Sequence, residues 1–244
     1  MSILQIAVEE KNGRTVITDC VFTAPLKIVT PFYRPGETEI MMMAASPGLL
    51  DGDDYEIALT VGSNASLRFS GQSYTKLFKS DLAGSSQSVR ITVEDNGRMI
   101  YKPCPVIPFA GSIYTCHTEV HLSANSKFAM TDVFAVGRVA MNEQFKFKKY
   151  HSCTKVYVDG KLKFFDQQRL IPLEWDLASL GFFEGYTHCG ILYLFGQTEI
   201  ILPDYENVES AITKAAAGYC IRTFANSADC LCKIFDDILK LSNF

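Results

Sequence analysis

The chain has 244 residues with a formal net charge of −4 and a pI of about 5.6, a balance that argues against general affinity for nucleic acid or for an anionic lipid surface. Apolar residues make up 48% and charged residues 20%, a globular composition and not a disordered one. The length suits one large domain or two small ones, and it suffices to bury roughly three quarters of the surface an unfolded chain exposes.

A mean hydropathy of +0.08 leaves apolar surface for a large core or a partner interface. The opening segment, Met1-Ser2-Ile3-Leu4-Gln5-Ile6-Ala7-Val8-Glu9-Glu10, has no basic region and too short an apolar run for a signal peptide. No segment approaches the ~20 apolar residues of a membrane-spanning helix. A cytoplasmic protein is expected. The eight cysteines, Cys20, Cys104, Cys116, Cys153, Cys189, Cys220, Cys230 and Cys232, are scattered without a Cys-x-x-Cys and read mostly as free thiols.

Strand signals dominate as far as residue 203. Segments 15–22, 39–45, 55–61, 65–70, 87–93, 99–102, 113–122, 127–136, 144–150, 154–158, 162–169 and 190–195 are rich in β-branched and aromatic residues and read as short strands. Asn12-Gly13, Asp95-Asn96-Gly97 and Asp159-Gly160 supply turns, and Asp159-Gly160 predicts a hairpin. A spacing of about ten residues between turns suggests a sandwich, barrel or solenoid of strands. No fixed-period repeat by itself demands a β-helix.

Beyond Pro203 the pattern changes. Residues 204–213 read as a short helix with Asp204 as N-cap, 219–225 as a strand, and Ser227 as the cap of a helix running to Leu241. Leu231, Ile234, Phe235, Ile238 and Leu241 form one apolar stripe, packed on the sheet or docked on a partner. No linker composition marks a boundary. One domain over 1–244 is expected, mainly β, with a β-rich body over 1–203 and a helix-strand-helix end over 204–244.

The usual marks of chemistry are missing. Asp51-Gly52-Asp53-Asp54 fails as an EF-hand, because its sixth and twelfth positions hold Glu56 and Gly62. His117 and His121 have zinc spacing only on a helix; on the predicted strand they stand ~13 Å apart. His151 and Cys153 share a strand face with no third ligand in view. The chain has no Gly-x-Ser-x-Gly elbow and no phosphate-binding glycine loop. Phe145-Lys146-Phe147-Lys148-Lys149-Tyr150 is explained by strand alternation, with aromatics inward and Lys146 and Lys148 outward. A polysaccharide hydrolase on a β-solenoid would need an open cleft with two carboxylates ~5 to 10 Å apart. No local feature selects that pair; the hydrolase and a plain binding module remain the alternatives.

Several short motifs, in order, carry a family resemblance. They are Phe22-Thr23-Ala24-Pro25-Leu26-Lys27 to Pro31-Phe32-Tyr33, Ser46-Pro47-Gly48 with Gly52-Asp53, Val61-Gly62, and Gln72-Ser73-Tyr74-Thr75-Lys76. Pro103 to Phe109, Val136-Gly137-Arg138-Val139-Ala140 with Glu143, and Phe183-Glu184-Gly185-Tyr186-Thr187-His188 complete the set. In their order and spacing the chain resembles the UreD/UreH family of urease accessory proteins. Leu49-Leu50-Asp51 in place of a longer glycine-rich bridge, and Asn142 where many members have glycine, look like the UreH branch.

The resemblance implies many strands in a helical winding, with two added helices. It implies a non-catalytic scaffold that binds UreF directly and the GTPase UreG through it, in paired copies. This assembly docks on the urease apoprotein and supports GTP-dependent nickel insertion. No cofactor would be held tightly, and nickel would pass transiently through a polar internal passage, since an apolar bore would be too costly for the ion. Candidates for the lining or its support are Asp53, Gln72, Thr75, Lys76, Arg138 and Glu143. Lys76 and Arg138 alternatively brace turns by pairing with Asp53 or Glu143. Candidates for the partner interface are Ile107 and Phe109, together with Leu231, Ile234, Phe235 and Ile238.

Overall fold

The computed structural model describes residues 1–34, 36–196 and 199–244. The chain runs through β1 (Ser2–Lys11), β2 (Arg14–Phe22), β3 (Leu26–Ile28), β4 (Phe32–Arg34), β5 (Glu37–Ala44), β6 (Asp54–Val61) and β7 (Ser66–Gly71). There follow β8 (Thr75–Leu77), β9 (Ser85–Val93), β10 (Arg98–Lys102), β11 (Val106–Pro108), β12 (Ile113–Leu122), β13 (Lys127–Ala135), β14 (Gly137–Arg138) and β15 (Glu143–Gln144). The last elements are β16 (Lys149–Val158), β17 (Lys161–Leu170), β18 (His188–Phe195), β19 (Glu209–Ala215), β20 (Gly218–Ala225) and α1 (Ala228–Leu241).

Two large sheets face each other. The first has the order β17-β16-β12-β9-β6-β1-β2, and its members from β1 to β16 pair in parallel. The second has the order β19-β20-β18-β13-β10-β7-β5-β3, with β5, β7, β10 and β13 parallel. The chain crosses from the first sheet to the second at β6–β7, β9–β10 and β12–β13. It returns along a narrow third side through β8 and β11, which pair with each other. That is a β-solenoid-like winding, the fold class the sequence suggested. Antiparallel β2 and β17 close the first sheet, and β17 turns back at Asp159-Gly160, where both residues have positive φ.

In each turn of the winding, alternation sends one set of side chains between the sheets. One row across the first sheet is apolar throughout: Ile6, Leu59, Ile91, Val120, Val156 and Phe164 stand in register. These side chains meet Phe69, Met99, Phe128, Met130 and Tyr193 of the second sheet in the main core. The second sheet's outer face is covered by α1. There Ile100, Ala129, Val133, Leu192 and Ile221 pack against Leu231, Ile234, Phe235 and Ile238.

Two segments differ from expectation, and one strand was not foreseen. Residues 204–213 are not a helix, so one C-terminal α-helix exists among the described residues where two were expected. Glu209–Ala215 instead pairs antiparallel with β20, and the end reads strand-strand-helix. Ile212 and Thr213, β-branched, gain a ladder there that an isolated helix of that length would lack. The expected strand 144–150 is broken: Phe145 takes a φ of 55°, and β16 begins only at Lys149. The alternation in burial survives the break, with Phe147 buried and Lys146 and Lys148 exposed. Strand β1 went unread at the sequence level although Leu4, Ile6 and Val8 alternate inward along it.

Candidate functional site

A polar cavity lies between the two sheets. It arises because the inward rows change character along the strands. Beside the apolar row runs Leu4-Ile57-Val89-Thr118-Thr154-Asp166, and beside that Tyr55-Gln87-Cys116-Ser152-Gln168, each in register across the first sheet. Both rows turn polar toward β17. From the second sheet, inward alternation along β13 places Asp132 between Met130 and Phe134. The cavity has a volume of about 50 Å³, room for a few water molecules. Asp132, Cys116, Thr118 and Ser152 line it, and half-buried Thr75, Pro103 and Cys104 line it near the narrow third side.

Asp132 accepts a hydrogen bond from Ser152 Oγ at 3.1 Å. Protein surrounds it, yet part of its surface stays open to water because it faces the cavity. Desolvation raises its carboxyl pKa to about 6, and the nearby Asp166 charge adds to the rise while Ser152 opposes it. Desolvation likewise pushes the Cys116 thiol up to about 12. Tyr114 and Tyr150 are held well above the usual phenol range for the same reason. At neutral pH the cavity therefore holds one carboxylate among neutral oxygen and sulfur groups. Such a site attracts a cation weakly and offers it no closed cage.

Asp166 extends the polar line toward solvent. Tyr193 donates to its Oδ2 at 2.7 Å, and Arg222 forms an ion pair with its Oδ1. Asp166 and Arg222 both line a cleft of about 330 Å³ together with Arg169, Phe182 and Phe224. In the second sheet Asp132 stands in register with Ile191 and then Arg222, so the cleft and the cavity are two strands apart.

Of the residues singled out as passage lining or support, the cavity wall includes Thr75. It does not include Asp53, Gln72, Lys76, Arg138 or Glu143. Asp53 Oδ2 caps its own turn, accepting from Leu50 N at 2.8 Å. Gln72 acts through its backbone: its N–H donates to Met42 O, and its carbonyl accepts from Cys104 Sγ at 3.3 Å. Lys76 O accepts from Leu49 N at 2.8 Å, and a Cβ at Gly48 would fall 2.3 Å from that oxygen, so the Ser-Pro-Gly turn requires its glycine. Arg138 and Glu143 pair through two bonds of 2.7 and 2.6 Å, and Arg138 lies 4.0 Å from the Phe109 ring centre. These motifs brace the narrow third side, where β8, β11 and β14 run.

The proposed interface residues divide. Ile107 and Phe109 are half-buried on the narrow side. Leu231, Ile234, Phe235 and Ile238 have no exposed surface, so the helix stripe is its inner face and not a surface offered to a partner. Asp132, Cys116, Thr118 and Ser152 were missed because they sit on three different strands and meet only through the register. One signal was present: an aspartate in the middle of the apolar segment Phe128-Ala129-Met130-Thr131-Asp132-Val133-Phe134.

No set of three or more His, Cys, Asp or Glu side chains forms a ready metal cage among the described residues. No helix among them is long and apolar enough to cross a membrane.

The family model described as UreD urease accessory protein matches residues 2–243. A urease accessory protein UreD from Acetivibrio thermocellus is 34% identical, over 98% of this chain and 95% of its own length. Urease accessory proteins UreH are 32% identical in Helicobacter acinonychis, over 94% of this chain and 90% of theirs, and 31% in Helicobacter pylori, over 95% and 90%. A family match over nearly every residue, with relatives above 30% identity along almost their whole length, places this chain in the UreD/UreH family of urease accessory proteins.

Proposed function

We propose that this protein is a non-catalytic maturation factor for urease, acting in the cytoplasm. In this reading it binds UreF, through UreF the GTPase UreG, and the urease apoprotein, in an assembly with paired copies. GTP hydrolysis by UreG drives nickel into the urease active site. The observation that carries the reading is the family match across residues 2–243. That match, and not any cleft, favours it over a polysaccharide hydrolase.

The polar cavity supports a finer reading in which nickel, as cargo, crosses the body between the sheets. The ion would meet Asp166 near the cleft, Asp132 and Thr118 inside, and Thr75 near the narrow side. One carboxylate with hydroxyl groups binds a hydrated divalent ion loosely, which suits transit better than a tight cage. The motif residues Gln72, Lys76, Arg138 and Glu143 support that route by bracing the third side beside Thr75.

Co-expression with cognate UreF and UreG, purification on a tag carried by this chain and mass determination in solution test the reading. The expected result is a stoichiometric complex that raises apo-urease activity with GTP and nickel. A monomer that ignores both proteins overturns it.

A further inference from the structure

The outer face of the first sheet carries a pair of imidazoles that the proposed function does not use. Alternation along β12 and β16 turns Cys116 and Ser152 inward and His117 and His151 outward. The two strands are parallel, with His117 opposite Cys153 and His151 opposite Thr115. His117 and His151 are therefore diagonal neighbours on one face. Their ring centres are 5.7 Å apart and their planes meet at 86°. His117 borders a shallow basin of about 400 Å³ whose wall also includes Glu119, Cys153 and Lys155.

We infer that His117 and His151 form a two-nitrogen site for a divalent first-row transition metal ion, open to solvent and completed by water. A metal about 2.1 Å from one nitrogen of each imidazole would hold the two ring centres roughly 5 Å apart, so side-chain rotation alone brings the nitrogens to it. Imidazole suits Ni²⁺, Cu²⁺ and Zn²⁺ and disfavours Mg²⁺ and Ca²⁺. A metal ligand must be the neutral imidazole. Cys153, opposite His117 on the same face, is 8% exposed, so the two imidazoles are the groups that project furthest into solvent there.

Gln167, opposite Cys153 on β17, occupies the binding nitrogen in the metal-free state. Its Nε2 lies 2.8 Å from His151 Nε2, so the amide donates to the lone pair that a metal would take. The metal displaces Gln167, which keeps the site weak and exchangeable. The inference rests on the strand register and ring geometry alone, so it stands or falls separately from the role in urease maturation.

The test is calorimetric titration of the full chain, tag removed, with nickel chloride, followed by NMR of the histidine ring protons during the same titration. One equivalent of Ni²⁺ is expected, broadening the His117 and His151 resonances before those of His121 and His188. Affinity should fall at least tenfold in His117→Ala and in His151→Ala. It should be unchanged in His121→Ala, whose ring instead stacks on Tyr157 at 4.9 Å. In Gln167→Ala it should be equal or tighter. His117 is exposed, so its variant keeps the test decisive if His151→Ala folds poorly. Absence of binding, binding unchanged in either His117→Ala or His151→Ala, or weaker binding in Gln167→Ala overturns the inference.

Discussion

At the residue scale, Asp132 shows how the winding manages a carboxylate between two sheets. Its folded pKa of about 6 exceeds the unfolded value, so the native state binds more protons than the unfolded chain between about pH 4 and pH 6. Stability therefore falls as pH rises through that window, and above it the buried charge costs up to about 3 kcal/mol. Asp132→Asn keeps an acceptor for Ser152 and removes the charge. Denaturant melts of this variant should match or exceed the parent's stability at pH 7.5, and the variant-minus-parent difference in stability should rise between pH 4 and pH 6. An identical pH profile in both proteins would contradict the burial argument.

Gly137 is the other residue whose role is unambiguous. Its φ is 134°, and a Cβ there would stand 2.0 Å from the Glu143 carbonyl. Gly137→Ala should cost roughly 2 to 4 kcal/mol of stability, because the backbone must shift and the strand pair β14–β15 opens. The same denaturant melts read it. A loss below about 0.5 kcal/mol, the usual level of a surface change, would show that this turn is not what holds Arg138 against Phe109.

At the element scale, α1 is part of the fold. Ser227 accepts from Cys230 N as N-cap, Asp229 sits in the first turn and Lys240 in the last, in accord with the helix dipole. Phe235 has no exposed surface, and Phe235→Ala should cost about 3 to 5 kcal/mol. Loss of UreF binding in such a variant would report unfolding, so partner mapping belongs on the exposed rim instead. Leu173, Leu180 and Leu82, each more than 85% exposed, are better substituted there.

The elements also show how far the sequence could be read. Long strands were legible because a parallel winding needs β-branched and aromatic residues at alternate positions, and α1 was legible from its cap and stripe. The hairpin at Asp159-Gly160 was legible from turn chemistry. Strands β8, β11 and β14 were not, because three residues or fewer carry no period. Residues 204–213 misled because Asp204 reads as a cap, while the pairing with β20 that decides the outcome is tertiary. Of the candidate site, Thr75 was named, but Asp132, Cys116 and Ser152 become neighbours only when two successive turns of the solenoid stack in register.

At the scale of the whole molecule, the two faces of β12 and β16 offer a division of labour. Inward lies the polar cavity, and outward the imidazole pair. The second sheet is sealed by α1, and the narrow side is braced by Gly48, Lys76, Arg138 and Glu143. In the proposed route, nickel bound for urease crosses between the sheets. The most direct measurement is the nickel content per active site of urease activated by the purified ternary complex carrying Thr118→Leu, beside a Thr118→Ser control. Leucine fills the cavity that Thr118 lines, whereas serine keeps the hydroxyl and leaves the cavity open. The account predicts severalfold less nickel in urease with the leucine variant, while complex mass and GTP hydrolysis stay unchanged. Full nickel loading by a folded, fully assembled Thr118→Leu complex would contradict it.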